Sequence, residues 1–244
     1  MTDTGDVLVR VAGPLAFLLP GRDRAGRVRR LAHDPDATVG HVVQAAGVPL
    51  TEAGELRVDG AAAGPDDRPG PGAVVDVGTA PRPEPTPPGG FLLDVGLGAL
   101  TRRLRLLGQD AAWSADADDP DLVATAVAER RVLLTQDRRL LMRRAFGRDG
   151  TARGALVRGS GTEAQLADVL DRFAPSLAPL TRCTACGGPL VDVAKEEVAD
   201  RLEPGTRRTY ERFSRCRSCG RVYWRGAHAR RIDALVEAAA RAVR

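Results

Sequence analysis

No apolar run in the 244-residue chain approaches the roughly 20 residues that a membrane-spanning helix requires. The N-terminus lacks the basic-then-apolar pattern of a signal peptide, so the expectation is a cytoplasmic protein with no membrane partner. Lysine is nearly missing, since 35 of the 36 basic residues are arginine, a bias that reflects genome composition as much as selection for phosphate binding. Cysteine is scarce too: there are four, all in two CxxC pairs, which argues against the denser spacing of a disulfide scaffold. No GxxxxGK[ST] loop occurs, and GLGAL after Asp94 is not a GxGxxG fingerprint, which disfavours nucleotide-fuelled and dinucleotide chemistry.

The strongest signal present is Cys183-x-x-Cys186 with Cys216-x-x-Cys219, the pairs separated by 29 residues and each followed by glycine. Glycine lets the chain turn sharply so that backbone amides face the thiolates, as in a zinc knuckle. Four protein ligands predict a closed, structural Zn²⁺ and leave no thiol free as a nucleophile. Between the pairs, VAKEEVADRL at 193–202 is a candidate short helix. After them, Tyr223 and Trp224 serve either to close a small core beside the metal or to stack on bases. His228 is a candidate second-sphere or RNA contact. Residues 182–244 carry 14 basic and 8 acidic side chains, a local excess of +6 within a chain of net charge +4, which favours a polyanionic partner such as nucleic acid.

The segment TAPRPEPTPPGG at 79–90 has five prolines and two glycines and reads as an extended linker. Before it, LVRVAGPLAFLL suits a strand and hairpin, VGHVVQAA at 39–46 a helix ending at Gly47, and ELRVD at 55–59 and AVVDV at 73–77 two further strands. This order predicts a small sheet with one helix. His33 and His41 are isolated and read as surface or packing residues. Gly89-Gly90 resembles the end of a ubiquitin-like conjugation tail, but the chain continues into an apolar strand, and a flexible joint is expected.

After the linker the rhythm is that of βαβ structure. Strands are expected at 91–93, 110–113, 132–134 and 155–157. Between the first two, Leu97, Leu100, Leu104 and Leu107 mark one helical face that Gly108 ends. Asp119 as N-cap and Pro120 open a second helix, and Thr162 with Gln165 form a capping box for a third over 163–173. Such alternation implies right-handed crossovers and a mainly parallel sheet.

In sheets of this type the usable crevice lies beyond the C-terminal strand ends. Asp94, the Asp118-Asp119 pair and Asp137 are all expected there. Carboxylates gathered at one edge call for a hard cation, Mg²⁺ or Mn²⁺, which orients water and stabilises charge in phosphodiester hydrolysis. The plain alternative is that Asp119 only caps its helix and Asp137 closes a turn. Thr135 and Ser160 are hydroxyls expected either to bond an acid, a bound water or substrate or to serve as ordinary turn or cap hydroxyls. Arg102, Arg103, Arg105, Arg138, Arg139, Arg143, Arg144 and Arg148 crowd the same region, some as solvated surface and some to hold a phosphate backbone. Arg102 and Arg105, on the helix after Asp94, are the foremost candidates, joined by Arg138 and by Arg225, Arg230 and Arg231 of the C-terminal module.

The stretches FLLDVGLGALTRRLRLLGQD, DDPDLVATAVAERRVLLTQDRRLL, RCTACGGPLVDVAKEEV and RCRSCGRVYWRGAH resemble the RNase domains found at the C-terminus of mutator-type 3′–5′ exonucleases. That resemblance implies an α/β PIN-like core over 91–178 and a zinc ribbon with a basic helix over 179–244. Its acids fall on Asp94, Asp118-Asp119 and Asp137. Residues 1–78 resemble the ubiquitin-like β-grasp domain that precedes such cores, and a protein partner is expected to bind through it. The chain departs from the family pattern at Arg103, where an aromatic is frequent, and at Ser160, where a further acid is expected. The leading expectation is a Mg²⁺- or Mn²⁺-dependent ribonuclease with Asp94, Asp119 and Asp137 as ligands and RNA as partner. The alternatives are a non-catalytic RNA-binding or ribosome-associated adaptor and, third, a toxin-like nuclease.

Overall fold

The computed structural model describes residues 5–146 and 151–243, and Arg148 lies outside them. In the N-terminal unit β1 (Val7–Val11) pairs antiparallel with β2 (Val28–Leu31). Helix α1 (Val39–Ala46) follows, then β3 (Ala53–Val58), β4 (Ala61–Ala63) and β5 (Val74–Thr79), which lies parallel to β1. The order β2-β1-β5-β3-β4 with one helix across the sheet is β-grasp topology. Helix α1 forms where its pattern predicts because the Thr38 side chain caps the His41 amide, and Val39, Val42, Val43 and Ala46 give it one buried face. The expected hairpin in PLAFLL is instead a 3-10 helix over Gly13–Leu18. Pro14 supplies no ladder donor, and Leu15, Leu18 and Leu19 repeat at a helical interval with all three buried.

The second unit is a parallel sheet of β6 (Phe91–Leu93), β7 (Ala111–Trp113), β8 (Val132–Thr135) and β9 (Arg153–Leu156), in the order β7-β6-β8-β9. Helices α2 (Gly98–Leu106), α3 (Asp119–Ala128), α4 (Arg138–Leu141) and α5 (Thr162–Phe173) make the connections. The residue that caps α3 is Asp118, not Asp119, which is already helical. The expected Thr162–Gln165 capping box is absent: Gly161 is the N-cap, and the Gln165 amide donates to Gln136 instead.

Because side chains alternate along a strand, the sheet has two apolar faces. Phe91, Leu93, Val132 and Leu134 meet α2 and α5, whereas Leu92, Leu133 and Leu156 meet α3 and α4. The second face is continuous with the β-grasp core, so that Val9, Val43, Leu56 and Val77 belong to the same cluster as Leu133. The two units therefore share a core.

A polar clamp pins that junction. Glu52, 2% exposed, accepts from the Arg172 guanidinium at 2.6 Å and from the Leu156 amide at 2.9 Å. Arg172 also donates to Glu84 at 2.7 Å and to the Thr51 carbonyl at 2.9 Å. The proline-rich segment is thereby a strap along α5, held further by Arg82 on Asp168 and Asp171. Nor is Gly89-Gly90 a flexible joint, because a Cβ on Gly89 would lie 2.0 Å from the Glu129 carbonyl and one on Gly90 2.4 Å from that of Asp110.

The C-terminal module is an antiparallel sheet of β10 (Leu190–Val193), β11 (Phe213–Cys216) and β12 (Val222–Trp224). A 3-10 helix over Lys195–Arg201 and helix α6 (Pro204–Thr209) lie between β10 and β11. Helix α7 (Ala229–Ala242) returns to the core, where Leu235, Val236 and Ala239 join the α2–α5 cluster. No helix among the described residues is long and apolar enough to cross a membrane.

Removing one partner of a buried pair strands the other charge, so Arg172→Met is expected to lower unfolding free energy by about 3–5 kcal/mol. Urea denaturation measures this, and a loss under about 1 kcal/mol would show that water reaches Glu52.

Candidate functional site

Strand β6 is first in the parallel sheet, β7 lies on one side of it and β8 on the other. The topological switch point is therefore between β6 and β8, and the crevice beyond their C-terminal ends is where an open α/β sheet offers a binding site. Asp94 directly follows β6, and Asp137 follows β8 by two residues. Thr135, the last residue of β8 and fully buried, joins them. Its hydroxyl donates to Asp94 Oδ2 at 2.5 Å and accepts from the Asp137 amide at 2.9 Å. Asp94 Oδ1 accepts from the Val95 amide at 2.6 Å, and Asp137 Oδ1 accepts from the Arg139 amide at 2.7 Å as the N-cap of α4. The Asp94 carboxylate is thus fixed by a hydroxyl and a backbone amide, and that of Asp137 by a backbone amide, before anything binds.

The structure divides the other expected site residues. Asp118 is spent on capping α3, while Asp119 pairs with Arg143 at 2.7 Å, both groups nearly half exposed. Apart from the cysteines, no three His, Cys, Asp or Glu side chains among the described residues are grouped closely enough to hold one ion, so the acids share an edge without forming a closed cage. Thr135 bonds an acid as expected, but its expectation as a substrate contact is corrected, because a hydroxyl with no exposure acts through the Asp94 carboxylate it holds. Arg105 is corrected as well: it is 5% exposed, and its guanidinium donates to the carbonyls of Ala111 at 2.8 Å and Ala185 at 2.7 Å. Arg102 and Ser160 remain exposed, Arg138 is exposed with one donor on the Leu18 carbonyl at 2.6 Å, and Arg225 is paired with Asp233 at 2.7 Å.

Sequence reasoning missed Gln136. Its amide donates to the carbonyls of Val157 at 3.3 Å and Gly159 at 2.8 Å and accepts from Gln165, tying the loop after β9 to the end of β8. Its position between Thr135 and Asp137, at a strand end, was the available signal.

At the opposite end of α2 stands the cysteine cluster. Cys183 and Cys219 approach to 3.7 Å and Cys186 and Cys216 to 3.5 Å, with all four sulfurs within 4.8 Å. A tetrahedron with Zn–S near 2.3 Å has edges of about 3.8 Å, so the donor set fits Zn²⁺. The two knuckles repeat one geometry: Gly187 and Gly220 have φ of +83° and +73°, and their amides bond the Cys183 and Cys216 carbonyls. Burial opposes charge on Cys183, yet bonds from the Tyr223 hydroxyl at 3.0 Å and from backbone amides pull it down to about 6. Burial and the adjacent thiols push Cys186 up to about 12. Four sulfurs this close ionise together only around a cation.

Tyr223 thus faces the knuckle, while Trp224 stays exposed against Phe213. Burial also lowers the Arg105 guanidinium below its usual value, against the pull of Cys186 and Cys183. That cation sits where four thiolates on Zn²⁺ would leave two net negative charges.

Sequence comparison agrees with this architecture. The family of the Mut7-C RNAse domain matches residues 89–236, and that of the Mut7-C ubiquitin domain matches residues 5–85. The chain belongs to the Mut7-C RNAse domain family. No curated protein and no solved structure matches it. The resemblance read from the motifs is borne out, including the ubiquitin-like unit ahead of the Mut7-C domain. In this Mut7-C chain the cysteine cluster and the acidic edge are separated by helix α2, which at nine residues is about 13 Å long.

Metal analysis of the purified chain is expected to find one zinc, and Cys216→Ser to lose most of it. Full zinc content in that variant would show that the metal sits elsewhere.

Proposed function

We propose that this Mut7-C chain is a ribonuclease that hydrolyses RNA phosphodiester bonds at the crevice between β6 and β8. The observation that carries the reading is the pairing of Asp94 and Asp137 through the buried Thr135 at the switch point of the sheet. Two carboxylates at an open edge suit Mg²⁺ or Mn²⁺, which keep several water ligands and take only one or two from protein. Such an ion would supply an activated water and charge stabilisation on the phosphate.

The chain's own residues set that chemistry up. Thr135 and the Val95 amide leave Asp94 little rotational freedom, and the Arg139 amide does the same for Asp137. Asp119 reaches the same edge, but Arg143 holds it through a half-exposed ion pair of the weak kind. Asp94 and Asp137 would hold the ion, and Asp119, if released from Arg143, would be available to orient one of its waters. Asp118 fixes the start of α3 and hence the place of Asp119. Arg102, Arg138 and Arg139 are exposed near this edge and suit the RNA backbone, as does Ser160 on the loop that Gln136 tethers.

Cleavage of end-labelled RNA with Mn²⁺ tests the reading. Asp94→Asn is expected to lose at least about 100-fold, and Thr135→Val to raise the Mn²⁺ requirement about 10- to 100-fold through the freed carboxylate. Equal activity of wild type and Asp94→Asn removes Asp94 from the mechanism. Stoichiometric RNA binding by the wild type without cleavage identifies the non-catalytic adaptor instead.

A further inference from the structure

Few large apolar side chains are exposed among the described residues, and two of them flank the acidic edge: Val95, next to Asp94, and Phe17, which is 43% exposed. Phe17 comes from the β-grasp unit. It belongs to the 3-10 helix Gly13–Leu18, whose Leu15 and Leu18 are buried in the shared core while Phe17 points out of it. There it lines a cleft of about 480 Å³ together with Gln136, Asp137, Arg138 and Arg139 of the nuclease unit. A neighbouring cleft of about 440 Å³ shares Phe17 and Gln136 and continues to Arg158 and Gly159. The acid-bearing edge is thus walled on one side by the other domain.

The aromatic ring is also held in place. The Arg158 guanidinium lies over it, 5.2 Å from its centroid, and Arg158 is itself drawn toward Glu52 of the interdomain clamp at 3.6 Å. Arg138 donates to the Leu18 carbonyl beside it at 2.6 Å, so the helix carrying Phe17 is bonded to the segment carrying Asp137. That contact uses one face of the ring and stabilises the chain only weakly at an exposed site, while the ring keeps surface open to the cleft. The arrangement does match what single-stranded nucleic acid needs, an aromatic face for a base with guanidinium groups for the adjoining phosphates.

We infer that Phe17 is a base-stacking residue: the β-grasp unit supplies in cis the subsite that holds the nucleobase next to the phosphate at Asp94 and Asp137. This rests on the ribonuclease reading for the position of the scissile phosphate, and on the cleft alone for the stacking. The ligand class is an unpaired ribonucleotide, because a base inside a duplex has no free face to offer. Arg138, Arg139 and Arg158 line the clefts as its phosphate and stacking partners.

The test uses the full chain and a fluorescein-labelled single-stranded RNA, with binding followed by anisotropy and cleavage followed with Mn²⁺. Phe17→Ala is expected to weaken binding about 5- to 100-fold and to raise KM with kcat nearly unchanged. Phe17→Trp is expected to restore both, and the urea midpoint of Phe17→Ala to fall only slightly, by the weak cation–π contact with Arg158 and the partly covered ring, too little to unfold the chain in the binding assay. RNA carrying an abasic nucleotide at the cleavage position should bind the wild type and Phe17→Ala equally. Wild-type affinity in Phe17→Ala, or no recovery in Phe17→Trp, overturns the assignment. If Phe17→Ala loses affinity while no protein cleaves, the subsite stands and the ribonuclease reading falls. If cleavage depends on Asp94 but is indifferent to Phe17, the reverse holds.

Discussion

The seating of the β-grasp unit on the parallel-sheet unit depends on one buried ion pair, Arg172 with Glu52. Its partners are 120 residues apart in sequence, and each satisfies more than the other: Glu52 also closes the free edge of the parallel sheet by accepting the Leu156 amide, and Arg172 also secures the strap through Glu84. An uncovered edge strand invites pairing with other chains, and here a side chain from the neighbouring unit occupies it. Because burying these charges is costly unless every bond is made, the pair tolerates few alternative positions of one unit on the other. The apolar face behind it supplies attraction, and the clamp supplies register. Phe17 reaches the acidic edge only because that register is fixed.

The two candidate metal centres divide the labour between opposite edges of one sheet. At the C-terminal edge carboxylates stand half-exposed and open, at the crevice where a sheet of this type offers a binding site. Near the other end of α2, thiolates are closed around a site with no vacant position, and a buried guanidinium sits beside them. Arg105 illustrates how a residue type suited to phosphate can be spent on architecture. Its carbonyl acceptors on β7 and on the first knuckle weld the ribbon to the core.

What was legible in the sequence was local. Helix α1, the parallel strands, both knuckles and the positions of Asp94 and Asp137 after their strands follow from periodicity, turn residues and spacing within a dozen residues. What was not legible depends on distant partners. The strand end suggests that the Thr135 hydroxyl bonds an acid but not which one, since Asp94 is 41 residues away, and nothing in the arginine-rich stretch separates the buried Arg105 from the exposed Arg102. The strand β4 escaped for a different reason, since three alanines carry no alternation. Proline and glycine exclude helix from the strap, but they do not say whether the chain floats or binds, and here Arg82 and Glu84 find partners on α5.

The wedged Gly89-Gly90 pair closes off a chemistry that the β-grasp shape invites. Enzymes that activate or cleave a diglycine tail must draw it out as a bare, solvated strand. In this chain the dipeptide is packed against two other backbone segments, and the Gly90 carbonyl receives the Val132 amide at the start of the central ladder. Extracting it would unpick β8 from β6 and scatter the acids. A modifier-like domain has here become a permanent wall of its neighbour, and its diglycine survives as a close-packed joint, not as a tail that can be handed on.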